Sequence, residues 1–379
     1  MYSANCLKIA LIANTSWYLY NFRLNLAKEL IRKGYNVVAI APLDEHSQRL
    51  EDEGVRHRHL SLEGASINPF RELATIFSLR RILQAEKVDI ALSYTPKGNI
   101  YTGLAVVRYP IHQLANVSGL GRVFIKQSWL SYLARILYKF AFRRAAWVFF
   151  QNEDDRQIFT KSGLVDVSKS ERIPGSGVDL VRFCPISDKS SDNTYPITFL
   201  LIARLLWDKG LGEFVEAARF VRAKKPSTRF QILGFLDVAN PSAVSRQTIN
   251  DWVEEGIVEY LGATDDIRPF LSVADCCVLP SFYREGVPRS LLEAAAMGIP
   301  VITTDATGCR DAVDNGVTGF LCFPRNSQDL ANKMLQFLSM PTVERQEMGM
   351  RGRDKMTREF DEKIVIDRYT AVIGNMFCK

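Results

Sequence analysis

Two glutamates, Glu285 and Glu293, lie in the segment SFYREGVPRSLLEAAAMGIPVITTD (281–305), and their surroundings suit them to bind a polar ligand. A strand ends at Ser281, and a loop then carries Arg284, Glu285 and Gly286. Pro288 stands where a helix begins, because its missing N–H and fixed φ suit a first helical turn. Backbone N–H groups at such a start are unpaired and carry the positive end of the helix dipole, so they suit a phosphate. Glu285 precedes the helix and Glu293 lies more than a turn inside it. Two carboxylates are thus offered at different depths beside one anion site. A solvated loop glutamate and a surface-helix glutamate are the plain alternative. For Glu293 the apolar run SLLEAAAMGIP argues against it, since a carboxylate there needs a partner or a ligand.

A second cluster is cationic. Residues 122–144 hold Arg122, Lys126, Arg135, Lys139, Arg143 and Arg144 and no acid. Arg135, Lys139 and Arg143 recur every four residues and line one helix face, while Trp129, Leu133, Ile136 and Phe140 line another. Basic amphipathic helices attach to anionic lipid surfaces; an ordinary domain helix with a solvated basic side is the alternative. The wider charge pattern favours lipid. Residues 1–190 hold 26 Lys and Arg against 17 Asp and Glu, whereas the remainder holds 22 against 25, so the first half is the part that meets something anionic.

The elements that position these residues follow from periodicity. LKIALIAN (7–14) reads as a buried strand, NFRLNLAKELIRKG (21–34) as an amphipathic helix closed by Gly34, and NVVAIAP (36–42) as the next strand. VDIALSY (88–94), IHQLANV (111–117) and WVFFQN (147–152) repeat the theme. The polar stretch SDKSSDN (187–193) reads as a linker. A second series then follows: strands at 197–204, 229–234, 258–262, 276–282, 301–305 and 319–324, with helices at 211–225 and 288–298. The fold class is therefore α/β, with two doubly wound parallel sheets. Ligands of such sheets sit beyond the carboxyl ends of the strands, so two of them facing each other would enclose a cleft. The expected division is 1–190, 191–360 and a C-terminal helix at 361–379 that crosses back to the first domain.

Seven residues separate Glu285 from Glu293, and this E-x(7)-E spacing, with EGVPRSLLEA and GIPVITT around it, resembles glycosyltransferase family 4. Arg204 and Lys209 in IARLLWDKGLGEFVEAA (202–218) resemble that family's R-x(4)-K signature. VDLVRFCP (178–185), VEYLGATDDI (258–267) and GVTGFLCFP (316–324) match further blocks, so the likeness covers nearly the whole chain. NTSWYLYNFR (14–23), NVSGLGR (116–122) and GCRD (308–311) look like the branch that extends undecaprenyl-diphosphate-linked sugars with N-acetylhexosamines. The resemblance implies a GT-B fold and a retaining transferase that takes a UDP-sugar donor and a polyprenyl-diphosphate-linked saccharide acceptor. Arg204 and Lys209 would hold the donor diphosphate and neutralise charge on the leaving group, the Arg as a planar fork and the Lys as a point charge. Glu293 would accept from the ribose hydroxyls, and Glu285 would contact the sugar near the reacting carbon as the third catalytic group. Gly286, Val287, Arg289 and Ser290 would complete the donor site. Many relatives have a glycine-rich turn after the first strand, but this chain has Thr15, Ser16 and Trp17 there. Trp17, Lys97, Ser118, Gly119 and Arg122 are the candidates for the acceptor, and Trp129, Arg135, Lys139 and Arg143 for the membrane surface.

Several classes are disfavoured. The first strand lacks G-x-G-x-x-G, which removes the dinucleotide dehydrogenase reading. No nucleic-acid motif accompanies the basic half. There is no Asp-x-Asp clamp and no ligand-like histidine spacing, so neither a metal nor a cofactor is expected. No apolar run reaches the roughly eighteen residues of a spanning helix. The N-terminal residues show no cleavable leader, and the seven cysteines form no C-x-x-C pair. A cytoplasmic protein peripheral to the inner face of the membrane is the expectation. A nucleotide-sugar epimerase of the same fold and a noncatalytic nucleotide-sugar-binding partner remain open.

Overall fold

The computed structural model describes residues 7–62, 68–120, 129–185, 196–238 and 240–377. Contacts divide the chain into two units, Met1–Ser176 with Lys363–Lys379 and Gly177–Glu362.

In the first unit the strands are β1 (Lys8–Ile12), β2 (Asn36–Ala41), β3 (Arg56–His59), β4 (Ile90–Tyr94), β5 (His112–Val117), β6 (Trp147–Phe150) and β7 (Ser170–Arg172). The helices are α1 (Ser16–Arg32), α2 (Glu45–Asp52), α3 (Pro69–Ala85), α4 (Pro96–Ala105), α5 (Trp129–Phe142) and α6 (Glu153–Lys161). Every strand pair is parallel, in the order β3-β2-β1-β4-β5-β6-β7. The reversal of order beside β1 is a topological switch point. One apolar core beneath the sheet joins Ile76, Leu79 and Leu83 of α3, Ile100 and Tyr101 of α4, and Tyr138, Ala141 and Phe142 of α5. The core on the opposite face contains Leu19, Leu26 and Leu30 of α1. Helix α1 starts at Ser16, earlier than the apolar period indicates, because the Thr15 side chain accepts from the Tyr18 N–H as a cap. Trp17 therefore sits in a first helical turn. The edge strand β3, RHRH, carries no apolar signal at all.

In the second unit the strands are β8 (Thr198–Ile202), β9 (Arg229–Leu233), β10 (Glu259–Tyr260), β11 (Cys276–Leu279), β12 (Val301–Thr304) and β13 (Gly319–Cys322). The helices are α7 (Leu211–Lys224), α8 (Arg246–Glu254), α9 (Arg268–Val273), α10 (Arg289–Ala296), α11 (Ser327–Ser339) and α12 (Thr342–Lys355). This sheet is also all-parallel, in the order β10-β9-β8-β11-β12-β13, with its switch point between β8 and β11. Strand β11 brings the Glu285 loop to that point, and β8 leads directly into Arg204 and Lys209.

The first division of the chain falls at 176 rather than 190. Residues beyond it belong to the second unit, because the Val178 N–H donates to the Phe360 carbonyl at 2.8 Å, the Glu362 N–H donates to the Val178 carbonyl at 3.1 Å, and Phe183 is buried in the second core. The stretch 187–193, read as a linker, lies outside the described residues. The last helix, α13 (Glu362–Phe377), buries Val365, Tyr369 and Ile373 in the α1-side core of the first unit. Among the described residues, no helix is long and apolar enough to cross a membrane.

Candidate active site

Lys209 and Glu285 lie far apart in sequence and meet in space. A short turn at Trp207–Lys209 ends at Gly210, which has φ +79° and starts α7. A Cβ on Gly210 would strike the Pro280 carbonyl at the end of β11, so only glycine permits this approach. The contact sets the buried Lys209 ammonium 2.5 Å from Glu285 Oε2. The other carboxylate oxygen, Oε1, accepts from the fully buried Ser281 hydroxyl at 2.6 Å. Ser281 Oγ also lies 3.2 Å from the Asp208 carbonyl, and the Phe282 N–H donates to that same carbonyl at 3.1 Å. Both oxygens of Glu285 are therefore oriented by fixed partners. Thr304 at the end of β12 donates to the Ser281 carbonyl, which ties the loop to a third strand.

On its other side the Glu285 loop is backed by Gly308. That glycine has φ +82°, and a Cβ there would strike the Gly286 carbonyl. Cys309 is buried beside it. Burial, with the Glu285 carboxylate nearby, pushes its thiol up to about 12, so it stays protonated and unreactive at neutral pH.

Pro288 caps α10 without a side-chain hydrogen bond, so the helix starts at Arg289 and Ser290. Val287 is buried behind this start. Glu293, one turn further in, accepts from Arg289 Nε at 2.8 Å, which supplies the partner its apolar surroundings demand. Burial raises its carboxyl above the usual 4.5, opposed by Arg289 and then by Arg182. Oε2 of Glu293 has no hydrogen-bond partner among the described residues. Arg204 is exposed and makes no ion pair among them.

The remaining expected residues lie in the first unit. The Trp17 backbone N–H donates to Asp44 Oδ2 at 2.9 Å, and its ring stands edge-on to Phe22. Lys97 is already held by Glu72 at 2.9 Å, so it is less available to an acceptor anion than its position suggests. Ser118 and Gly119, the latter at φ +112°, follow β5 at the carboxyl edge of the sheet. Arg122 and the side chain of Trp129 lie outside the described residues. On α5, Arg135 reaches Ser162 Oγ at 3.4 Å, while Lys139 and Arg143 are exposed. The helix has a second apolar set besides the one read from periodicity. Tyr138, Ala141 and Phe142 face the core, whereas Leu133 (43 % exposed) and Phe140 (59 %) face outward. Ile136, Lys139, Phe140 and Arg143 line a groove of about 650 Å³ completed by Val165 and Lys169.

Sequence reasoning missed Ser281, Gly210 and the wall made by Gly308 and Cys309. GCRD carries only a family likeness, and a serine at a strand end carries no signal of its own.

Two family models match the chain: "Glycosyl transferases group 1" over residues 196–340 and "Glycosyl transferase 4-like domain" over residues 21–175. The N,N'-diacetylbacillosaminyl-diphospho-undecaprenol alpha-1,3-N-acetylgalactosaminyltransferase of Campylobacter jejuni is 32% identical over 378 residues, covering 96% of this chain and 97% of that protein. The UDP-Gal:alpha-D-GlcNAc-diphosphoundecaprenol alpha-1,3-galactosyltransferase of Escherichia coli is 28% identical, covering 71% of each. Among solved structures, Anabaena Alr3699/HepE in complex with UDP-glucose superposes with a TM-score of 0.79 at 16% identity, covering 97% of this chain and 100% of that one. A glycosyltransferase from Rickettsia africae gives 0.76 at 19% identity, covering 99% and 100%. These two share the fold.

Proposed function

Since this chain belongs to the family of glycosyltransferases with group 1 and 4-like domains, and has their GT-B fold of two parallel-sheet units, we propose that it moves an N-acetylhexosamine, with retention, from a UDP-sugar to a polyprenyl-diphosphate-linked saccharide at the cytoplasmic face of a membrane. The observation that carries the reading is the pairing of Lys209 with Glu285, with an exposed Arg204 at the end of the neighbouring strand. The names of the Campylobacter and Escherichia relatives, both transferases acting on undecaprenol-diphosphate-linked sugars, support the acceptor class.

In this mechanism Arg204 grips the donor diphosphate with its planar fork, and Lys209 supplies a point charge from a buried position. Both counter the charge that grows on the nucleoside diphosphate as the sugar–oxygen bond breaks, so they stabilise the transition state more than the bound donor. Glu285 is oriented by Lys209 and Ser281 and accepts from sugar hydroxyls near the reacting carbon. We assign it no covalent role. Glu293 turns its second oxygen toward the ribose hydroxyls, and the N-terminus of α10, with Gly286, Val287, Arg289 and Ser290, receives phosphate oxygens. Trp17, Ser118, Gly119 and Arg122 serve the acceptor, and Lys97 joins them only by leaving Glu72. Lys139 and Arg143, with Arg135 and Trp129, hold α5 against anionic lipid.

The test is a thermal-shift screen across UDP- and GDP-sugars, followed by transfer to a synthetic polyprenyl-diphosphate saccharide. A UDP-N-acetylhexosamine should stabilise the protein by mass action and be transferred with its anomeric configuration kept. Rearrangement of the donor without transfer would mean an epimerase, and inversion would overturn the retaining assignment. Activity abolished by EDTA and restored by Mg²⁺ would remove the purely cationic account of leaving-group stabilisation.

A further inference from the structure

Helix α3 carries an apolar stripe that stays in contact with water. Its core face is Ile76, Leu79 and Leu83. Phe70, Leu73 and Phe77 are spaced i, i+3, i+7 on another face and are 84 %, 52 % and 53 % exposed. A phenylalanine that keeps most of its surface in water gives up much of the free energy its burial could supply, and three apolar residues on one stripe form a patch rather than scatter.

The stripe's neighbours identify what covers it. Helix α4 packs against both α3 and α5, and all three helices close the same core on one face of the sheet. The α4–α5 approach is close enough that a Cβ on Gly103 would strike the Ala141 backbone. Because every strand is parallel, the helices connecting them run in one direction. The outward faces of α3 and α5 therefore lie on the same side of the sheet. On α5 that outward face exposes Tyr132 (70 %), Leu133 and Phe140 among Lys139 and Arg143. No Asp or Glu occurs between Asp89 and Glu153, a stretch that includes Lys97, Arg108, Arg135, Lys139, Arg143 and Arg144. Of the acids on and after α3, Glu72 is held by Lys97, and Glu86 by Lys8 and Arg58. Asp166 lines the α5 groove with Lys139, Arg143 and Lys169, so that face stays basic in net charge; an exposed apolar stripe beside a basic face has the composition of an interfacial helix pair.

We propose that α3 is the lipid-inserting half of a two-helix membrane platform, with Phe70, Leu73 and Phe77 entering the acyl boundary of an anionic phospholipid bilayer while α5 supplies the cations. This rests on the membrane-docking reading given above and extends it to a second element with a different physical role. The two halves respond differently to salt: attraction between α5 and anionic headgroups is screened, whereas burial of the α3 stripe is not.

The experiment is co-sedimentation with phosphatidylglycerol–phosphatidylcholine vesicles at low and high salt, using wild type, a Phe70→Ser/Leu73→Ser/Phe77→Ser variant, and an Arg135→Glu/Lys139→Glu/Arg143→Glu variant. Wild type should bind with a component that survives high salt. The α3 variant should lose that component, its partitioning at high salt falling roughly tenfold or more, with transfer to a water-soluble acceptor unchanged and the melting temperature lowered only by the half-buried parts of Leu73 and Phe77. The α5 variant should lose the salt-sensitive component. A second readout is a Phe77→Trp variant, whose emission, taken as the difference from wild type, should shift blue on vesicles and be quenched by brominated lipid. If wild type and the α5 variant differ but the α3 variant binds as wild type does at both salts, or the difference emission of Phe77→Trp does not move, the α3 proposal is overturned while docking by α5 stands. If wild type fails to bind at all, the docking reading falls with it. A wild type that self-associates through α3 in sedimentation, with vesicle binding unaffected by the α3 variant, makes the stripe a protein interface and also overturns the proposal.

Discussion

The Lys209 ammonium has to serve a carboxylate at rest and a diphosphate during the reaction, and this sets it apart from Arg204. Lys209→Ala removes the cation that pairs with Glu285, so we expect turnover to fall by ~10²-fold or more together with a lower melting temperature. Arg204→Ala should cost turnover on the same scale and leave the melting temperature unchanged, since its side chain is exposed and makes no ion pair among the described residues. Equal melting temperatures for the two variants would contradict the ion pair. Glu293 gives a pH prediction. Its folded carboxyl titrates above the usual 4.5, and the charged form is the one that accepts strongly from ribose hydroxyls. Donor KM should therefore rise on acidification while the pH is still above 4.5, and Glu293→Gln should raise KM and flatten that limb. The linkage sign is the reverse for folding. Because the native state holds this proton more tightly than the unfolded chain, Glu293 costs stability as pH rises through the window above 4.5, and Glu293→Gln should abolish that loss. At this scale Arg204 and Glu293 stand as candidates, while Lys209 and Glu285, which the structure brings together, were legible as spacings. Ser281 was not, because a hydroxyl that orients a carboxylate four residues away is defined by the turn between them and leaves no pattern.

At the scale of elements, the site depends on two places where backbone meets backbone. Gly210 lets the turn after β8 touch the end of β11, and Gly308 lets the loop after β12 touch Gly286. A methyl at either position faces a carbonyl oxygen and a positive φ together. Gly210→Ala should therefore lower stability by about 1–3 kcal/mol or more and move Lys209 off Glu285, so that turnover falls further than the stability loss explains. Calorimetry alongside steady-state kinetics checks this; a Gly210→Ala protein with normal turnover would show that the approach is not needed. Apolar periodicity identified the strands that line both sheet centres, because parallel strands buried on two faces read as continuous apolar runs. It did not identify β3, an edge strand of arginines and histidines, and it started α1 late because the cap at Thr15 lies outside the repeat. On α5 it found the apolar residues but not which way they face, since periodicity places residues on a common stripe and leaves open whether protein or solvent lies beyond it.

For the whole molecule, the two-sheet architecture was readable, while the division points were not. The first unit ends at Ser176 and resumes at Lys363, and residue patterns carry no mark of the bridge between Val178 and Asp361 that fixes this. Helix α13 buries Val365, Tyr369 and Ile373 against α1-side residues, and the Tyr369 hydroxyl accepts from Asn116 Nδ2 at 2.9 Å. A chain stopped before Lys363 should lose on the order of 5 kcal/mol or more from the first unit, at about 1.5–3 kcal/mol for each buried side chain, and leave the second unit intact. Scanning calorimetry should then show one transition lowered and one unmoved; two unmoved transitions would mean that α13 adds nothing. The same helix has a consequence during synthesis. Domains fold as units while the chain emerges, yet the first unit lacks its last piece until residues 177–362 have been made. At about 5–20 residues per second, roughly ten to forty seconds pass in which Phe149, Tyr94 and Asn116 wait on the nascent chain for the helix whose Tyr369 meets them. This protein should accordingly draw on chaperone holding early in translation, and slowing the ribosome over 177–362 should raise its aggregation rather than relieve it.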